Sequence, residues 1–243
     1  SAISNGARNG ILFKGGTHLE ALSQLKAVAF DKTGTLTIGK PEVTDFFVSD
    51  SLKNQEQAIL QVAATLENQS NHPLARAIVR YAQKNKVTSF LDPDYVEDVS
   101  GWGIRGKIND DTWKIGKMDF MDFDDKTRWL PHLQRLTREG KTTVFIQKNE
   151  DVIALFALKD QLRKNAKTAV SKLQALGVQP VMLTGESDAT AKKIASDVGV
   201  KSYVSECLPD ETLEKITEMK QHLGTTAMVG DGINDAPALA IAD

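Results

Sequence analysis

The chain has 243 residues, 41% of them hydrophobic and 26% charged, which is the balance of a globular chain with room for one large domain or two modest ones. A formal net charge of −2 supplies no general pull towards nucleic acid or anionic lipid, so no nucleic-acid partner is expected. The single cysteine, Cys207, excludes an internal disulfide and reads as a small buried apolar residue.

Residues 1–25 form an approach segment. It opens Ser1-Ala2-Ile3-Ser4-Asn5-Gly6 without an initiator methionine and reads as a stretch cut from within a longer protein. Leu19, Leu22 and Leu25 recur at helical spacing and predict a helix capping the first strand. That strand is Lys26-Ala27-Val28-Ala29-Phe30. It delivers Asp31-Lys32-Thr33-Gly34-Thr35-Leu36-Thr37. Asp31 then stands at the strand's C-terminal end, where open α/β sheets hold their ligands. Gly34 permits a tight turn. A carboxylate held beside a cation in a nest of threonine hydroxyls and amides suits attack on a phosphoryl group.

Past Thr37 the pattern changes. Pro41 and residues 42–48 predict a linker and an antiparallel strand. Residues 55–68 predict an amphipathic helix through Ile59, Val62, Ala63 and Leu66, and a second helix starts at His72-Pro73. Strands follow at 95–99, 102–108 and 112–115, with Gly101, Gly103 and Gly106 marking turns or bulges. Residues 126–139 predict a helix, and 143–147 and 152–158 two strands. This central block is mixed α+β. The run 152–158 is also the longest apolar stretch, far short of the roughly twenty residues a spanning helix needs.

From Asp160 strand and helix alternate strictly, with strands at 178–183 and 225–229 and helices at 162–176, 189–198 and 212–222. Such alternation implies parallel βαβ units. The first strand needs this later block to form a sheet, so the central block is an insertion between two halves of one doubly wound domain. Three strand ends then carry polar residues: Asp31, Thr184-Gly185, and Gly230-Asp231-Gly232-Ile233-Asn234-Asp235. Asp31, Asp231 and Asp235 would share one small site. Two carboxylates about 4 Å apart repel by roughly 4 kcal/mol at an effective dielectric of 20. A hard cation removes that repulsion, and Mg²⁺ on Asp31, Asp231 and the Thr33 carbonyl is expected.

The heptapeptide at Asp31 resembles the phosphorylation signature of P-type ATPases, the ion-pumping branch of the haloacid dehalogenase-like superfamily. Thr184-Gly185 and Gly230 to Pro237 resemble two further motifs of that superfamily, and Leu158-Lys159-Asp160 with Arg163 the hinge returning from an inserted domain. The resemblance implies an α/β fold with a doubly wound parallel sheet and an inserted α+β nucleotide-binding domain. It places phosphorylation in 1–39 and 156–243, and nucleotide binding in 40–155. It makes Asp31 the phosphorylated residue, within a catalytic group of Lys32, Thr33, Thr184, Gly185, Asn234 and Asp235, where Thr184 and Asn234 hold phosphoryl oxygens. The inserted block is similar to the nucleotide-binding domain of heavy-metal pumps through Glu67, Ser70-Asn71-His72-Pro73 and Gly101-Trp102-Gly103, which implies ATP contacts at Glu67, His72, Gly101, Gly103 and Lys117. Lys117 aligns where the family often has Asn.

Two departures stand out. Glu186 follows Thr184-Gly185 where pumps usually have Asp, and Thr212 aligns where they usually carry a Lys; Lys215, one turn on, is the expected substitute. The resemblance implies the cytosolic catalytic unit of a heavy-metal cation pump, at the cytoplasmic face of a membrane. Its partners would be ATP, an actuator domain, transmembrane helices and the transported ion, with copper, zinc, cadmium and cobalt all open. The alternatives are a soluble phosphatase of the same superfamily and a nucleotide-binding regulatory module. Thr33 disfavours the phosphatase, which commonly uses an Asp there as acid and base.

Overall fold

The computed structural model describes residues 2–122, 127–232 and 236–243. In chain order its elements are α1 (Ala2–Arg8), α2 (Gly16–Ser23), β1 (Ala27–Asp31), β2 (Glu42–Val48), α3 (Glu56–Glu67), α4 (Pro73–Lys84), β3 (Tyr95–Val99), β4 (Gly103–Ile108) and β5 (Asp111–Gly116). There follow α5 (Leu130–Arg138), β6 (Thr142–Lys148), β7 (Asp151–Lys159), α6 (Ala166–Ala175), β8 (Gln179–Leu183), α7 (Asp188–Val198), β9 (Ser202–Val204), α8 (Pro209–Leu223), β10 (Thr226–Val229) and α9 (Ala236–Ile241). No helix among the described residues is long and apolar enough to cross a membrane.

The chain divides into two compact units. The first comprises Ser1–Leu36, Arg163–Asp188 and Ala195–Asp243. Its sheet runs β10-β1-β8-β9 and every pairing is parallel. β1 and β8 are almost wholly buried, as expected of parallel strands covered on both faces. Ala27 and Ala29 alternate onto one face of the sheet and pack with Val181, Leu183, Ile216, Met219 and Ala238. This is the doubly wound sheet that the strand-helix rhythm predicts.

The second unit comprises Thr37–Leu162 and Ala189–Ile194. Its sheet is antiparallel throughout, in the order β2-β7-β6-β5-β4-β3. Leu60, Leu66 and Ile78 of α3 and α4 pack with Ile104, Ile115, Phe156 and Leu158 of the strands. A second cluster gathers Trp129, Leu136, Phe145 and Leu155. Where this unit begins and ends, Thr37 bridges Leu162, the Ile38 N–H donates to the Gln161 carbonyl at 2.9 Å, and the Asp160 carboxylate accepts the N–H groups of Gly39 and Lys40, both at 3.1 Å. The anticipated boundary at 155/156 falls inside β7, which pairs along its length with β2 and β6.

Two expectations shift, and two elements, α1 and β9, were not expected. The helix predicted to cap the first strand ends at Ser23 and buries no residue; Leu22 is 46% exposed, so it does not cap that strand. α1 lies in a segment with no clear periodicity. The helix expected from 126 is a 3₁₀ turn, Thr127–Trp129, followed by α5, because Pro131 suits only a first helical turn; Lys126 lies outside the described residues. β9 has three residues, too few for a period of two to emerge from the sequence.

Candidate functional site

The first unit presents its chemistry where its parallel strands end. Asp31 is the last residue of β1 and lies opposite Leu183 of β8. The backbone then turns sharply: Thr33 has φ −77 and ψ 125, and Gly34 has φ 76 and ψ −14. These are the angles of a type II turn over 32–35, whose third position calls for glycine. An ideal Cβ on Gly34 would stand 3.5 Å from Oδ2 of Asp231, so the Asp231 side chain lies directly against this turn. β10 delivers it: Val229 is level with Phe30 in the parallel register. Arg163 steadies the turn, its guanidinium donating to the Gly34 carbonyl at 2.7 Å.

β8 supplies the neighbouring loop. Thr184 is buried, and its Oγ1 accepts the Glu186 N–H at 3.2 Å, which leaves the hydroxyl proton to donate elsewhere. Gly185 is exposed beside it. The Thr184 carbonyl accepts from the Cys207 N–H at 3.1 Å and the Glu186 carbonyl from the Glu206 N–H at 2.8 Å, so two loops brace each other. Lys32 is buried and pairs with Glu186, Nζ to Oε1 2.5 Å, an ion pair the sequence reading missed. The partners stand 154 positions apart. The one available signal was the unexpected Glu after Thr184-Gly185.

Cys207 is half-buried, its Sγ 3.4 Å from the Thr212 hydroxyl, which also donates to the Leu208 carbonyl at 3.3 Å. Lys215 lies one turn further along α8 with Nζ 2.9 Å from the Glu218 carboxylate, which holds the ammonium charged to higher pH. Asn234 and Asp235 lie outside the described residues.

Mg²⁺ fits this donor set. It needs only one or two carboxylates, completed by phosphate oxygens and water. Asp31 and Asp231 leave adjacent parallel strands, and Asp231 meets the turn carrying Thr33. No group of three His, Cys, Asp or Glu that could hold a metal ion gathers among the described residues.

The second unit brings together most of the expected nucleotide residues. Glu67 ends α3 and is 7% exposed. Burial pushes its carboxyl up to about 8, and the Asp98 carboxylate adds to the rise. Asp98 of β3 accepts the Ser70 hydroxyl at 2.8 Å, and Ser70 Oγ in turn accepts the His72 N–H at 3.2 Å. His72 caps α4, its Nδ1 accepting the Leu74 N–H at 3.2 Å. That bond assigns the ring proton of neutral His72 to Nε2, a donor on an exposed ring.

The turn between β3 and β4 holds Gly101, at φ 79, and Gly103 follows as the first residue of β4. A Cβ on Gly103 would lie 2.1 Å from the Ile115 carbonyl oxygen, and one on Gly116 would lie 2.3 Å from that of Trp102. The two glycines are register partners, so β4 and β5 approach more closely than side chains allow. The Lys117 N–H then donates to the Trp102 carbonyl at 3.0 Å, which puts Lys117 against the Gly101–Gly103 turn. Gly116 is the residue that sequence reasoning passed over. It reads as an ordinary strand-end glycine until its partner is known.

Comparison with known proteins accords with this geometry. The family model for haloacid dehalogenase-like hydrolases matches residues 25–243. A zinc-transporting ATPase of Bacillus subtilis (strain 168) is 40% identical over 246 residues, covering 100% of this chain and 38% of that protein. A probable cadmium-transporting ATPase of Staphylococcus aureus (strain MRSA252) is 40% identical over 252 residues, covering 99% of this chain and 34% of that protein. The chain thus spans little more than a third of the curated relatives it matches. Among solved structures, the catalytic domain of the CPx-ATPase CopB-B superposes with a TM-score of 0.78 at 29% identity, over 100% of this chain and 85% of that one. With the parallel sheet, the Asp31 turn and the Asp231 strand end in place, the match across residues 25–243 leads to one conclusion: the chain belongs to the haloacid dehalogenase-like hydrolase family.

Proposed function

We propose that this chain is the ATP-binding, autophosphorylating unit of a heavy-metal-transporting P-type ATPase. The observation that carries it is the Asp31 carboxylate at the end of β1, followed at once by the glycine-dependent turn against which Asp231 lies. ATP is held in the second unit by Glu67, His72, the Gly101–Gly103 turn and Lys117. Protonated Glu67 carries both a donor and an acceptor, and so complements the N1 and N6 edge of adenine. His72 offers Nε2–H to the nucleotide. The close packing of Gly103 on Gly116 fixes the course of the Gly101–Gly103 backbone that the nucleotide meets.

An Asp31 oxygen attacks the γ-phosphorus, the bond from that phosphorus to the β,γ-bridging oxygen breaks, and ADP leaves with the electron pair. The product is an acyl phosphate on Asp31. Thr184 donates its hydroxyl proton to a phosphoryl oxygen, as Asn234 is expected to do. Asp31, Asp231 and the Thr33 carbonyl would hold Mg²⁺, which when bound would supply charge neutralisation around the transferred group. Thr33 offers no acid or base for rapid hydrolysis, so the acyl phosphate persists. Its hydrolysis is coupled to metal movement by an actuator domain and transmembrane helices of the whole protein, whose catalytic part faces the cytoplasm.

Incubation with γ-labelled ATP tests this. An acid-stable, hydroxylamine-sensitive label is expected, absent from Asp31→Asn and after chelation of divalent cations. Free turnover without accumulated label would identify a phosphatase. ATP binding with no label would identify a regulatory module.

A further inference from the structure

We infer that Glu186 is a positioning residue for phosphoryl transfer, acting through Lys32 on the nucleophile and through its own backbone on Thr184. The inference rests on the reading of Asp31 given above. Lys32 and Glu186 are each 10% exposed at the side chain and meet at 2.5 Å. Lys32 directly follows the nucleophile and opens the turn at Gly34. Glu186 sits in the loop leaving β8, the strand beside β1, with Asp31 and Leu183 in register. The pair therefore joins the loops leaving two adjacent strands at the edge where the chemistry collects. The Glu186 N–H is the donor that engages Thr184 Oγ1, and its carbonyl is tied to the Glu206 N–H. One residue thus constrains the attacking carboxylate's turn and the Thr184 hydroxyl that hydrogen-bonds a phosphoryl oxygen. With the Glu186 carboxylate against it, the Lys32 ammonium belongs to a pair that is neutral as a whole. Lys32 serves here as the other half of a clamp.

The test is single-turnover labelling of the full chain by γ-labelled ATP. The rate constant is read because it does not depend on the folded fraction, and ATP affinity is measured separately. A misplacement of about 1 Å at a reacting centre costs about a hundredfold in rate. Glu186→Gln and Lys32→Met should each slow labelling by about ten- to a hundredfold, with the ATP dissociation constant changed less than about twofold. Glu186→Asp keeps a carboxylate and should recover most of the rate. The double variant Lys32→Met with Glu186→Gln removes both buried charges, the change buried pairs tolerate best. It should be no slower than either single variant.

Labelling by Glu186→Gln at the unsubstituted rate overturns the inference. So does a double variant whose losses multiply. Loss of labelling in Lys32→Met with full rate in Glu186→Gln would make Lys32 a direct phosphoryl ligand and also overturn it. A chain that never labels in its unsubstituted form would refute the reading of Asp31 first, and the positioning role with it.

Discussion

Glu67→Gln should change how the second unit's stability responds to pH. The Glu67 carboxyl moves from an ordinary value of 4.5 to about 8 in the folded chain, chiefly through burial and secondarily through Asp98. At about 1.36 kcal/mol per pH unit, ionising it inside the fold costs about 5 kcal/mol more than in the unfolded chain. The sign follows from proton counting. Below 4.5 both states hold the proton and nothing changes. Between 4.5 and 8 the folded state holds one proton more than the unfolded one, so stability falls as pH rises. Above 8 both have released it and the slope vanishes. Glutamine keeps a donor and an acceptor and has no proton to lose. The stability difference between Glu67→Gln and the unsubstituted chain should therefore grow by about 1.4 kcal/mol per pH unit, reach about 3 kcal/mol at pH 7, and level off above pH 8. Urea unfolding followed by tryptophan fluorescence reads this selectively, because Trp102, Trp113 and Trp129 all lie within Thr37–Leu162. Parallel stability curves for the two proteins between pH 5.5 and 7.5 would refute the reasoning. ATP affinity gives a second readout: it should weaken above pH 8 in the unsubstituted chain and stay level in Glu67→Gln.

Three further substitutions probe the two sites. Gly103→Ala would set a Cβ 2.1 Å from the Ile115 carbonyl oxygen, so the β4–β5 pair must part; a loss of about 3 kcal/mol in stability and of measurable ATP binding is expected, and unchanged calorimetric titration would contradict it. His72→Ala removes the cap of α4 and should cost about 1 kcal/mol, whereas His72→Asn keeps the cap; both should weaken ATP binding, so a comparison of melting and affinity separates the cap from the ligand contact. Gly34→Ala meets Asp231 only at an ordinary 3.5 Å, but at φ 76 it should cost about 1–2 kcal/mol of backbone strain, slowing phosphorylation while leaving ATP affinity intact, as rapid-quench labelling would reveal.

The features legible from the residues alone are those whose cause is local. Asp31 closing an apolar strand, Gly34 where a type II turn needs a left-handed residue, Pro73 opening a helix and the strand-helix rhythm after Asp160 each follow from neighbours in sequence. The insertion followed as well, because one parallel strand at the front of the chain cannot form a sheet by itself. Only the tertiary structure decided what depends on partners brought together from afar. The Lys32–Glu186 pair spans 154 positions, and a lysine beside Asp31 reads equally well as a phosphoryl ligand until its carboxylate is found. Gly116 gains meaning when Gly103 lies opposite it. The proton on Glu67 is set by burial and by Asp98, which arrives from β3. Backbone angles and hydrophobic periodicity are short-range preferences, written a few residues at a time. Desolvation, ion pairing and close backbone approach act through space, and the chain must fold before they exist.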